Sequence, residues 1–429
     1  MQPDLVVRNA NLPDGSQGVD ILVADGLIQA VGPKIQARGH AEIDASGRLV
    51  TPPFVDPHFH MDATLSLGLP RFNRSGTLLE GIRLWGELKP KLTHEAVIAR
   101  ALAYCDMAVA QGIGAIRSHV DVCDDRLLAV EALLDVKARV APYLTLQLVA
   151  FPQDGLYRSP GARENLIRAL DMGVEVVGGI PHHERTMEDG RRSVTETAEL
   201  AAARGLMLDL HCDESDDPHS RHVEQLAFET LRLGLGGRAV GSHLTAMHSY
   251  DNYYASKLLA LMAESGMGAI ANPLINITLQ GRHDSYPKRR GMTRVPELLA
   301  AGVPVAFGQD CCMDPWYPLG SADMLDVASM GLHVAQMTST DAIAQAFAMV
   351  TTIPARLLQL DGYGIAPGCR ADLVILEAAD PFEAIRLKAT RLEVIRAGRV
   401  IARTAPRETQ LALPDRPDRV ALTFRPGSI

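Results

Sequence analysis

Nowhere in the 429 residues is there an apolar run of about 20, so the sequence offers no helix able to cross a bilayer. The opening stretch MQPDLVVRNANLPDG lacks a basic start followed by a hydrophobic segment, which predicts a cytoplasmic protein without membrane contact. Cysteine is sparse. The six present (Cys105, Cys123, Cys212, Cys311, Cys312 and Cys369) show no Cys-x-x-Cys spacing, which excludes a disulfide framework or a thiolate zinc site and predicts reduced thiols. An excess of basic charge is also missing: 42 Lys and Arg against 51 Asp and Glu leave a net charge of −9, which argues against a nucleic-acid partner. The one basic cluster, PKRRG at 287–291, reads as a solvated, ion-pairing loop.

What is there is a large apolar content, 47%, with 22% charged residues, enough for one big core and a smaller one. Residues 1–48 alternate β-rich runs with Gly and Asp turns (DLVVRNANL, VDILVADGLIQAVG, AEIDASGRLVTP), the pattern of hairpins. The C-terminal part repeats it in ADLVILEAADPF, LEVIRAGRVIAR and RVALTF. Neither end has enough strands for a core of its own, so 1–48 and 363–429 are expected to form one composite small β domain, a sandwich built from both chain ends.

Residues 49–362 follow another rhythm. Eight apolar runs (RLVTPPFVDPH, GIGAIRSHV, YLTLQLVAF, VEVVGGI, LMLDLHC, AVGSHL, MGAIANP and VPVAFGQD) alternate with helical patterns such as THEAVIARALAYCDMAVAQG. Continuous apolar strands imply burial on both faces, hence an α/β protein with a parallel sheet. Eight strand–helix units over this length suit a (β/α)8 TIM-type barrel, with a doubly wound open sheet as the alternative. Polar residues gather at the ends of these runs: His58, His60, His119, Gln153, His211, His243 and Asp310. In a barrel enzyme those ends build the active site.

His58 and His60 are two apart, so on an extended strand both imidazoles face one side. With His211 and Asp310 at equivalent heights they form a plausible ligand set for zinc, iron(II) or manganese, leaving room for an activated water as nucleophile. Glu214, three residues beyond His211, and His243 are candidate proton carriers, one protonating a substrate nitrogen while the other orients the water. His119 and His182, also near strand ends, are assigned supporting roles.

The arrangement resembles the amidohydrolase superfamily, with its H-x-H after the first strand, histidines at the fifth and sixth and an aspartate at the eighth. VDPHFHMD, NRSGTLLEGI, AFPQDG, HCDESDD, SHLTAMHSY, ANPLINITLQGR, YPKRRGMTRV and MDPWYPLG occur in the order found in bacterial cytosine deaminases, over nearly the whole chain. The resemblance implies metal ligands His58, His60, His211 and Asp310, with Glu214, His243 and Asp310 moving protons. It implies Gln153 and the loop around Leu78 as readers of the pyrimidine amide and Trp316 as a pocket wall. The lysine of dinuclear relatives is absent from VEVVGGIPHHE, implying one divalent transition metal, iron(II) or zinc, per chain. A homo-oligomer is also implied. The other zinc deaminase architecture needs P-C-x-x-C, which does not occur.

One departure stands out. Cytosine deaminases of this kind carry two successive aspartates after the last strand, whereas here Asp310 is followed by Cys311. Pressing a 5-methyl group against a carboxylate strips water from a charge and costs several kcal/mol, while burying it on sulfur gains only about 0.8 kcal/mol. The lost clash therefore matters more than the new contact. The expected reaction is hydrolysis of 5-methylcytosine to thymine, and of cytosine to uracil, with release of ammonia. A plain cytosine deaminase, or one acting on another cyclic amidine such as isocytosine or creatinine, is the alternative. A covalent role for the Cys311 thiol is not needed, since water already serves as nucleophile.

Overall fold

A computed structural model describes residues 3–420 of the chain. The N-terminal strands β1 (Leu5–Ala10), β2 (Val19–Ala24), β3 (Leu27–Pro33) and β4 (Ala41–Asp44) form one sheet in the order β3-β2-β1-β4. Next come β5 (Val50–Thr51) and the eight strands β6 (Phe54–Phe59), β7 (Ile113–Asp121), β8 (Thr145–Phe151), β9 (Val176–Gly179), β10 (Met207–His211), β11 (Ala239–Ser242), β12 (Gly268–Ala271) and β13 (Val305–Phe307). The chain ends with β14 (Leu373–Leu376), β15 (Arg391–Arg396) and β16 (Arg399–Arg403). These pair in the order β16-β15-β14-β5, so the third sheet takes one strand from just ahead of β6.

The two outer sheets share an apolar core that includes Leu5, Val7, Ile21, Val23, Ile28, Val50, Leu373, Ile375 and Ile395. Of the hairpin segments expected from sequence, RVALTF lies mostly outside the described residues; Arg419, its first residue, bridges Gln410.

Strands β6 to β13 run parallel in sequence order, as βαβ units with right-handed crossovers require. No reversal of strand order occurs, which removes the doubly wound alternative. The ring nearly closes between β13 and β6. There the Asp310 amide donates to the His58 carbonyl at 2.8 Å, and the His60 amide to the Asp310 carbonyl at 3.0 Å. These strands are the continuous apolar runs read from the sequence, and β6 and β9 are buried along their whole length.

Helices α1 (Leu78–Leu88), α2 (His94–Ala110), α3 (Leu128–Val140), α4 (Ala162–Asp171), α5 (Met187–Arg204), α6 (His222–Arg232), α7 (Asn252–Ser265) and α8 (Pro273–Leu279) lie in the connections between β6 and β13. Several start at side-chain caps: Thr77 accepts from the Glu80 amide, Thr186 from Asp189 and Asp251 from Tyr254. The floor of the barrel is plugged by helix Thr352–Leu357. Its Ala355 and Leu357, with the adjoining Leu358, pack on the inward residues Val55, Ala115, Val240, Ile270 and Ala306. A floor sealed in this way leaves the C-terminal rim as the open end.

The PKRRG loop is tied down as read: Arg289 pairs with Asp284, and Lys288 donates to the Gly281 carbonyl.

Candidate active site

At the rim the polar strand ends turn inward together. His58 is the next-to-last residue of β6 and His60 lies just past it, His211 ends β10, and His243 and Asp310 follow β11 and β13. His243 and Asp310 both take left-handed backbone, with φ of 70° and 68°. Non-glycine residues seldom adopt this conformation, and it concentrates where a site dictates side-chain direction.

His58 Nε2 and His60 Nε2 lie 3.6 Å and 3.4 Å from Asp310 Oδ1, and His60 Nε2 is 3.1 Å from His211 Nε2. Possible ligand atoms of His58, His60 and His119, and likewise those of His58, His211 and His243, fall within 4.8 Å of one another. The structure thus brings all four sequence-selected ligands together, and adds His119 and His243 at the same centre. Buried ring nitrogens and a carboxylate oxygen without hydrogen-bond partners at one centre, here His58 Nε2, His119 Nδ1 and Asp310 Oδ2, fit a cation among them.

Ring tautomers fit as well. The Ser242 hydroxyl donates to Asp209 Oδ1 at 2.7 Å, so its oxygen takes the proton of His58 Nδ1, 2.9 Å away. His58 Nε2 is left with a free lone pair aimed at Asp310, as a ligating imidazole needs. Burial, reinforced by neighbouring imidazoles, pushes His58, His60, His211 and His243 well below the ordinary histidine range, so the rings stand neutral. Burial first, then the carboxylates of Glu214 and Asp314, raises Asp310 well above its usual range. A cation would relieve both penalties.

Glu214 is buried, and that burial lifts its carboxyl to about 8. Its Oε1 lies 3.6 Å from His243 Nδ1, which also receives the Asn276 amide at 2.9 Å. His182 stands behind the pair, its Nδ1 3.0 Å from the His211 carbonyl and 3.3 Å from the Glu214 amide.

Beside this cluster is a small pocket lined by Leu78, Gln153, Cys311 and Trp316 as well as His60, His211, Glu214, His243 and Asp310. Of the ligand, proton-carrier and substrate-contact candidates all but His58 line it, and the supporting His119 and His182 do not. Two lining residues escaped the sequence reading, Ile275 and Leu279. They are four apart on α8, and that i, i+4 spacing in PLINITL is the signal that would have marked one helix face. The Cys311 sulfur is 3.6 Å from Asp310 Oδ1. Burial pushes the Cys311 thiol well up, so it is a neutral surface and no nucleophile.

Known proteins share this fold. A 5-methylcytosine deaminase from Klebsiella pneumoniae, solved with 5-fluorocytosine, superposes with a TM-score of 0.92 at 45% identity, covering 95% of this chain and 99% of that one. N-isopropylammelide isopropylaminohydrolase from Burkholderia multivorans superposes at 0.82 and 28% identity, over 94% and 99%. By sequence, the pterin deaminase of Rhizobium rhizogenes is 30% identical over 92% of this chain and 90% of its own. The sequence model of the amidohydrolase family matches residues 41–402. The chain therefore belongs to the amidohydrolase family and is a hydrolytic deaminase.

Proposed function

We propose that the protein deaminates free aminopyrimidine bases, 5-methylcytosine to thymine and cytosine to uracil, releasing ammonia. The observation that carries this reading is the neutral Cys311 thiol in the wall of a single-ring pocket that also holds Gln153, Glu214 and the imidazole cluster.

His58, His60, His211 and Asp310 would hold one divalent transition metal, iron(II) or zinc, since imidazole and carboxylate donors suit either. When bound, such an ion supplies Lewis acidity that makes a water strongly nucleophilic at neutral pH. The protein's own groups do the rest. Gln153, whose amide both donates and accepts, pairs with the adjacent ring carbonyl and N–H, fixing the ring so that C4 faces the cluster. Leu78 and Trp316 close the pocket and exclude bulk water.

Glu214, held in its acid form by burial, delivers a proton to ring N3 as water adds to C4, so that no negative charge is left on the ring. His243 and Asp310 are placed to pass the proton that the departing amine needs. The C4–N bond breaks, ammonia leaves and the carbonyl forms. Cys311 faces the 5-position, where a methyl group meets sulfur in place of a charge.

The test is a side-by-side measurement of ammonia release from cytosine and 5-methylcytosine by the metal-loaded enzyme, with elemental analysis of the same preparation. Turnover of 5-methylcytosine and about one transition-metal ion per chain are expected. Silence on both pyrimidines would remove the reading. Two ions per chain would remove the single-metal assignment.

A further inference from the structure

Helix α1 carries four residues with linked positions: Leu78, Gly81, Trp85 and, at its C-cap, Lys89. Their 3-4-4 spacing puts them on one face. Leu78 lines the pocket. At Gly81 an added Cβ would lie 2.4 Å from Trp316 Cδ1, so the helix backbone approaches the indole as closely as only glycine permits. Trp85 packs on Trp316, ring centroids 6.0 Å apart, and donates its Nε1 proton to Asp121 Oδ2 at 2.7 Å.

Lys89 closes the face with a charge. Its side chain is 11% exposed, and its ammonium touches Asp121 Oδ2 at 2.6 Å and Asp154 Oδ2 at 2.7 Å. Asp121 ends β7, and Asp154 follows Gln153 in the loop after β8. One buried cation thus joins three separate elements: the helix that backs Trp316, a barrel strand, and the loop that carries Gln153. Neither carboxylate belongs to the imidazole cluster, and the chemistry described above makes no use of Lys89.

We propose that Lys89 is a positioning residue for substrate recognition: by tying α1 to Asp121 and Asp154 it holds Trp316, Leu78 and Gln153 at the separation a single pyrimidine ring requires. The proposal rests on the pyrimidine reading of the pocket. Removing the ammonium frees the loop of Gln153 and leaves Asp121 buried with only the indole N–H as side-chain donor. Binding should suffer while the hydrolytic groups, on other strands, stay in place.

The test uses full-length, metal-loaded enzyme and the variants Lys89→Met, Lys89→Arg and Asp154→Asn. Lys89→Met should raise KM for cytosine and 5-methylcytosine about tenfold with kcat held within about threefold, and Lys89→Arg should recover part of the loss. Asp154 is partly exposed, so Asp154→Asn folds even where Lys89→Met does not, and it should raise KM in the same sense. The chain's two tryptophans are Trp85 and Trp316, so emission reports on the brace without any turnover: Lys89→Met, or Asp154→Asn in its place, should shift emission to the red and increase acrylamide quenching.

Parental silence on all pyrimidines would remove the functional reading and leave the emission measurement to decide on the brace. Unchanged KM in an active variant, or parental emission and quenching, would overturn the role of Lys89.

Discussion

The floor and the rim of the barrel are both lined with buried polar side chains, yet they differ in whether those groups are partnered. On the floor, Arg117 donates to Gln147 Oε1 at 2.6 Å, to Asp209 Oδ2 at 3.1 Å and to the Leu357 carbonyl at 3.3 Å, and Asp209 also accepts from Ser242. Toward the rim, His58 Nε2, His119 Nδ1 and Asp310 Oδ2 are equally buried and lack hydrogen-bond partners. A satisfied buried charge is a structural element, whereas a group of unsatisfied ones is a site awaiting something that the chain does not supply. Ser242 joins the two regions, since the hydroxyl that donates to Asp209 below also accepts from His58 above.

If this division is right, rim changes cost activity and floor changes cost stability. The largest effect is expected for Glu214→Gln: a fall in kcat on the order of 10² to 10⁴, the share carried by a positioned acid, with a urea midpoint no lower than the parent's, since the buried carboxyl itself costs stability at neutral pH. A midpoint lowered in step with the loss of rate would erase the distinction. Arg117→Met is expected to lower stability by about 3–5 kcal/mol, because Asp209 is left charged and buried. Urea unfolding measures this, and Arg117→Met with Asp209→Leu should recover part of it.

Within the rim, Cys311→Asp sharpens the comparison by adding a third carboxylate beside Asp310 and Asp314. It should lower kcat/KM for 5-methylcytosine about 10- to 100-fold more than for cytosine. Equal losses on both substrates would show that Cys311 does not face the 5-position.

A smaller effect is expected from pH. Glu214, whose ordinary value is 4.5, titrates at about 8 because burial disfavours its charge. The acid form needed to protonate N3 is present below that value and lost above it, so kcat/KM should fall on the alkaline side. In the metal-free protein the folded state alone keeps this proton between pH 4.5 and about 8, so stability declines as pH rises through that window. Glu214→Gln should flatten that slope in a series of unfolding curves.

Much of this was legible in the linear text. The eight apolar runs became β6 to β13 because strands covered on both faces must be apolar throughout, and that pattern needs no tertiary information. The residues at their ends could be selected because barrels place chemistry there. His119 was placed among supporting residues, yet it stands in the same cluster as His58 and His60, since its inward direction depends on barrel stagger that one strand does not encode. Lys89 was equally silent. A lysine near a helix end is ordinarily a solvated residue, and only the convergence of Asp121 and Asp154 from two other elements makes it buried and paired.

The sequence by itself determined the fold class, the imidazole and carboxylate donors at successive strand ends, and the thiol at position 311, because periodicity and residue chemistry are local properties. Tertiary structure decided which nitrogens face one another, which buried charges find partners, and how closely α1 approaches Trp316. Those are distances between residues far apart in the chain, and they are fixed only when the barrel closes and packing excludes water from its rim.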